Sequence, residues 1–132
     1  MRLPVEHIQL NVSNKENLKF YKDMLTYLGF GTLDEWDGGF GMGKDGFGFW
    51  IVVTEEKYQI NKFHRKGTGV NHVAFLAESK EAVDKFHQEF LKPRAIKTLY
   101  NTPKLFPEYR SDYYAVYFED LDRIKLEVVF HS

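Results

Sequence analysis

The chain reads as an α+β protein made of two βαβββ modules, which form a curved, mostly antiparallel sheet cup with one helix per module on the outside. Three observations predict this: a short motif that recurs, an order of elements that recurs with it, and tight-turn signals between short strand-like segments. Val5-Glu6-His7-Ile8 lines up with Val70-Asn71-His72-Val73 at an offset of 65 residues, from His7 to His72. In the helix-like segment after each, the same register sets Leu18 against Val83, Tyr21 against Phe86 and Leu25 against Phe90. Later in each module Asp45–Val53 aligns with Asp122–Phe130 at an offset of 77, from Trp50 to Glu127, and the added spacing fits longer loops in the second copy.

Residues 4–12 alternate, His7, Gln9 and Asn11 against Ile8, Leu10 and Val12, which is the period-two pattern of a half-buried strand. Ser13-Asn-Lys-Glu16 is a capping-box pattern, and apolar residues at helical spacing follow to Leu28 before Gly29 and Gly31 break the run. Strands are expected near 30–36, 39–43 and 46–54, joined by Asp37-Gly38-Gly39 and Lys44-Asp45-Gly46. After a polar connection the order returns: a strand at 69–76, a helix at 79–92 stopped by Pro93, and strands near 95–100, 112–119 and 123–131. Asn101 to Arg110, with Pro103 and Pro107, reads as a loop. Each half is too short to bury much apolar surface alone, so one domain over 1–132 is expected, with module 1 at 1–54, a linker at 55–68 and module 2 at 69–132.

A formal net charge of −1, with cations scattered among acids, argues against a nucleic-acid partner. The absence of cysteine excludes disulfide staples and thiol chemistry. No long apolar run opens the chain, so neither a signal peptide nor a membrane span is expected, and a cytoplasmic protein is the default.

Strand phase selects the candidate site. His7 lies opposite its strand's apolar set, Trp50 opposite Phe49 and Ile51, and Glu127 opposite Leu126 and Val128; the repeat register puts His72 with His7. If both modules curl their sheets toward each other, His7, Trp50, His72 and Glu127 enter one central cup. Two imidazoles and a carboxylate with open positions suit a divalent first-row ion, whether iron, manganese, nickel or zinc. Glu127 alone could equally be a solvated strand residue paired to Lys125 or Arg123. Trp50 is either core filling or a pocket wall able to stack on a flat substrate. Tyr100, Tyr109, Tyr113, Tyr114 and Tyr117 cluster late in the chain, where a phenol could donate a proton to bound substrate; Tyr114 and Tyr117 are the candidates for that role. Gln9 and Tyr100 join Trp50 as candidate pocket residues. His131 and the His64-Arg65-Lys66 run read as surface features.

The openings "EHIQLNV" and "NHVAFLA" and the closing "YYAVYFEDLDRIKLEVVF" resemble the vicinal oxygen chelate superfamily: glyoxalase I, extradiol dioxygenases, fosfomycin resistance enzymes and bleomycin-binding proteins. The resemblance spans nearly the whole chain. It implies metal ligands from the first and fourth strands of each module, at His7, position 50, His72 and Glu127. Trp50 can neither bind metal nor accept a proton, which sets the chain apart from a standard glyoxalase I. What the resemblance implies is a metal-dependent lyase, isomerase or ring-cleaving dioxygenase acting on a small oxygen-chelating substrate. Its alternative is a metal-free antibiotic-binding protein, and a homodimer is expected in either case.

Overall fold

The computed structural model describes residues 1–132, which divide into two compact units, Met1–Lys62 and Phe63–Ser132. In the first, β1 (His7–Val12) leads to α1 (Lys15–Tyr27), and β2 (Gly31–Trp36), β3 (Gly39–Lys44) and β4 (Phe47–Val53) follow. β4 returns to lie parallel beside β1, and the sheet order is β1-β4-β3-β2 with the remaining pairs antiparallel. The expected alternation holds in β1: His7, Gln9 and Asn11 are exposed while Ile8, Leu10 and Val12 are partly or fully buried. Phe20, Tyr21, Met24 and Leu25 of α1 are buried, as are Phe49 and Ile51 of β4.

The first helix is capped one residue later than the Ser13 pattern suggested. Asn14 stands at the cap with extended backbone, and its Oδ1 accepts from the Asn17 amide at 2.9 Å, satisfying an amide that the helix itself leaves without a partner. The other end closes on Gly29, at φ +90°, a left-handed position that suits glycine. There the Phe30 amide donates to Leu25 O at 2.9 Å and the Gly29 amide to Thr26 O at 3.0 Å.

The second unit repeats the plan with β5 (His72–Leu76), α2 (Lys80–Phe86), β6 (Thr98–Leu105), β7 (Tyr114–Glu119) and β8 (Lys125–Phe130). Its sheet order is β5-β8-β7-β6, with β5 parallel to β8. Ser79 caps α2 by accepting from the Ala82 amide at 3.0 Å. Val83, Phe86, Phe90 and Leu91 are buried, along with Val116 and Phe118 of β7.

Two expectations are corrected here. The helix foreseen over 79–92 is composite: after Phe86 the chain widens into a π turn over His87–Leu91 and tightens into a 3-10 turn at Lys92–Arg94 that contains Pro93. The stretch from Asn101 is strand as far as Leu105, with only the remainder in loop or turn. A bulge between Leu99 and Lys104, with Tyr100 at φ 59° and Asn101 at φ 56°, breaks the period-two pattern. Pro103 is compatible with strand because β6 is an edge, where a missing amide donor is tolerated.

Candidate functional site

The register of the two sheets makes the repeat explicit. In the first unit His7 pairs with Gly48 and Gln9 with Trp50; in the second His72 pairs with Lys125 and Ala74 with Glu127. Each histidine therefore stands at the same distance in register from the fourth-strand residue, Trp50 or Glu127. One strand further in, Trp50 faces Gly41 and Glu127 faces Tyr117. In the first unit a Cβ at Gly41 would come within 2.5 Å of the Trp50 ring, so the indole lies against bare backbone. It is flanked by Trp36, with centroids 6.2 Å apart, and by the edge-on His7 ring at 6.5 Å. Gln9, on the exposed side of β1, gives its amide to Asn11 Oδ1 at 3.0 Å.

The second unit holds the stronger electrostatic feature. Glu127 is 1% exposed, so the solvated alternative for it does not stand. Its Oε1 accepts from the Tyr113 hydroxyl at 2.5 Å, and its Oε2 lies 3.2 Å from His72 Nε2. The neighbouring contacts determine what that second distance means. Asn71 Nδ2 donates to Arg65 O at 3.2 Å, which leaves Asn71 Oδ1 facing His72 Nδ1 at 2.8 Å. His72 Nδ1 must then carry a hydrogen, and a neutral ring presents only a lone pair at Nε2. A lone pair opposite a carboxylate oxygen calls for a positive charge between them, either a proton or a metal ion. The 3.2 Å separation is close to the edge between two neighbouring ligands on a first-row ion with bonds of about 2.1 Å.

The first unit orients its histidine in the same way, since Glu6 takes His7 Nδ1 and leaves Nε2 unengaged. In both copies the residue before the histidine fixes the ring, as the partners of metal-bound imidazoles do. No group of three or more His, Cys, Asp or Glu side chains able to hold a metal ion is found. The donor pair that can be described is His72 with Glu127.

On the same side of the second sheet lies a cavity of about 550 Å³, lined by His72, Tyr100, Phe106, Tyr113, Tyr117 and Lys125 among others. Burial, the carboxylate of Glu127 and its hydrogen bond push the Tyr113 phenol up to about 12. Burial and the same carboxylate push Tyr117 higher still. Both are hydroxyl donors at neutral pH. Tyr100 goes the other way, held below the ordinary tyrosine range by the hydrogen bond from Lys125.

Tyr117 and Tyr100 are thus placed in the cavity wall. Tyr114 points elsewhere: its hydroxyl donates to Asp84 of α2 at 2.6 Å and its ring meets Lys80. From the sequence Tyr113 was named only within the tyrosine cluster and Lys125 only as a possible ion-pair partner of Glu127, although their phase was available. Tyr113 lies four residues before Tyr117 and Lys125 two before Glu127, so each shares a strand face with its partner. His131, assigned to the surface from the sequence, stacks on Tyr113 at 5.8 Å.

No helix is long and apolar enough to cross a membrane, and no family model matches the chain. Over 126 residues the chain is 36% identical to the uncharacterised protein YqjT of Bacillus subtilis, covering 95% of this chain and 97% of that protein. Among solved structures it is similar to a candidate glyoxalase from Bacillus halodurans, with a TM-score of 0.87, 36% identity and 96% and 95% of the two chains covered. A glyoxalase/bleomycin resistance protein from Albidiferax ferrireducens shares the fold at a TM-score of 0.74 and 21% identity, over 96% and 98% of the chains.

Proposed function

Because the chain belongs to the glyoxalase/bleomycin resistance group of the vicinal oxygen chelate superfamily, we propose that it is a metal-dependent enzyme acting on a small substrate with neighbouring oxygens. The observation that carries this reading is the buried Glu127 carboxylate opposed to the Nε2 lone pair of His72. His72 and Glu127 are assigned as ligands; His7 holds the repeat-equivalent place in the first unit, with its ring oriented in the same way. When bound, a divalent ion such as iron, manganese, nickel or zinc would act as a Lewis acid toward substrate oxygens.

The chain's own residues have definite tasks in this reading. Tyr113 holds Glu127 by one oxygen and so directs the other toward His72. Tyr117 stays protonated across the physiological range and can donate its hydroxyl to a substrate oxygen. The aromatic wall offers flat faces and edges that orient a flat ligand. Lyase, isomerase and ring-cleaving dioxygenase chemistry all fit this arrangement. A cytoplasmic homodimer belongs to the same reading, supported by edge strands left at each end of the two sheets; light scattering of the purified chain checks the oligomer.

Metal analysis after reconstitution tests the assignment. One ion per chain is expected. His72→Ala and Glu127→Gln should each abolish stoichiometric uptake. Wild-type protein that takes up no ion, or variants that bind as well as it does, would defeat the proposal.

A further inference from the structure

Lys125 is a cation without a carboxylate partner on the wall of an aromatic cavity. Its ammonium donates to the Tyr100 hydroxyl at 3.1 Å and sits 5.0 Å from the ring centres of Tyr100 and Tyr117. The acid that should neutralise it is its cross-strand neighbour Glu119. That carboxylate is engaged elsewhere, by Arg65 at 2.9 Å and by Arg123 at 3.2 Å. A lysine directly opposite a glutamate on adjacent strands would ordinarily pair with it, so the diversion of Glu119 leaves the positive charge of Lys125 available to a ligand.

The surroundings agree. Lys125 and Arg65 both favour negative charge at the Tyr100 oxygen and hold that phenol low, which marks the rim as a place of positive potential. Inside, Phe106 meets Tyr117 edge-on at 5.6 Å and lies parallel to Tyr109 at the same distance, leaving flat faces and edges to receive a ring. Lys125 and Glu127 are two residues apart on one strand, on the same face, and so about 7 Å apart along the backbone. That spacing spans one aromatic ring with a substituent at each end.

We propose that the ligand of this cavity is an aromatic carboxylate, its ring among the tyrosines and its acid group held by Lys125 and the Tyr100 hydroxyl. The inference rests on the preceding reading in taking this cavity as the substrate site, and it adds the charge and shape of the substrate. The Tyr100 and Lys125 end takes the acid, and the His72 end faces the opposite substituent.

The probes are 2-naphthoate and its neutral counterpart 2-naphthamide, followed by the anisotropy of naphthyl fluorescence on chelator-treated protein. Naphthoate should bind at least tenfold more tightly than naphthamide, in keeping with a charge-assisted hydrogen bond. Lys125→Met should bring naphthoate down to the level of naphthamide, while Lys125→Arg keeps most of the preference. Equal affinities in the wild-type protein, no binding of naphthoate, or an unchanged preference in Lys125→Met would each overturn the proposal. The wild-type ratio decides the matter even if the methionine variant does not fold. Metal analysis beside the naphthoate assay separates the two readings: wild-type protein that keeps the naphthoate preference but takes up no ion, or a His72→Ala variant that still takes it up, removes only the metal assignment, whereas wild-type protein that takes up the ion without the preference removes only this one.

Discussion

Gly41 shows how one missing side chain shapes the site. The Trp50 ring occupies the space that a Cβ would need, at 2.5 Å, so Gly41→Ala forces either the indole or the strand to move. Overpacking of this kind costs about 1–3 kcal/mol. Urea denaturation of that variant should show such a loss together with a shift in tryptophan emission; unchanged stability and emission would mean that the indole does not rest there. The strand positions of the candidate residues were legible at this scale. His7, His72 and Glu127 follow from strand phase plus the repeat, and Trp50 falls where the offset places it. What could not be read was hydrogen bonding between non-neighbours. Phase separates Tyr113 from Tyr114, but that the one hydroxyl meets Glu127 and the other Asp84 depends on contacts between elements that the sequence does not display.

Among the elements, strands with plain alternation and helices with polar caps were foreseen, while irregular backbone was not. The π turn after α2 keeps Phe86 and Phe90 stacked at 5.3 Å, so the apolar spacing still resembled an uninterrupted helix. The end of that composite turns on Ala95 at φ 54°, ψ 33°, a left-handed conformation that costs a residue with a Cβ roughly 1–2 kcal/mol. Ala95→Gly removes that strain but adds freedom to the unfolded chain. A net gain of about 0.5 kcal/mol is expected, read as a higher denaturant midpoint with an unchanged slope; a lower midpoint would show the strain to be relieved in some other way. The continuation of β6 past Tyr100 was missed for a related reason, since Tyr100 and Asn101 adopt positive φ without a glycine to announce it.

For the molecule as a whole, tyrosine ionisation sets the alkaline limit of stability. Tyr113 and Tyr114 have folded-state values pushed up to about 12, against an unfolded value of about 10. A raised value means that the folded state holds the proton more tightly, so this contribution is intact below pH about 10 and is lost as pH rises through about 12. Unfolding free energy should therefore decline across that interval, less steeply in Tyr114→Phe, whose hydroxyl lies away from the cavity and bonds Asp84. Denaturant titrations at successive pH values check this, and a flat profile up to pH 12 would contradict it. The recurring motif, the element order and the turn signals placed the chain correctly as an α+β repeat, and the two four-stranded sheets with their matching orders bear that out. The boundary between the two compact units falls between Lys62 and Phe63.

The pairing of positions 41 with 50, and of 117 with 127, also constrains how one copy could mutate toward the other. Tyrosine introduced at 41 beneath an intact tryptophan collides with it, whereas an acid introduced first at 50 leaves only a gap over the glycine. Passage from the first arrangement to the second is therefore epistatic and ordered: the indole must be lost before the phenol arrives, and the reverse journey must run through the same intermediate.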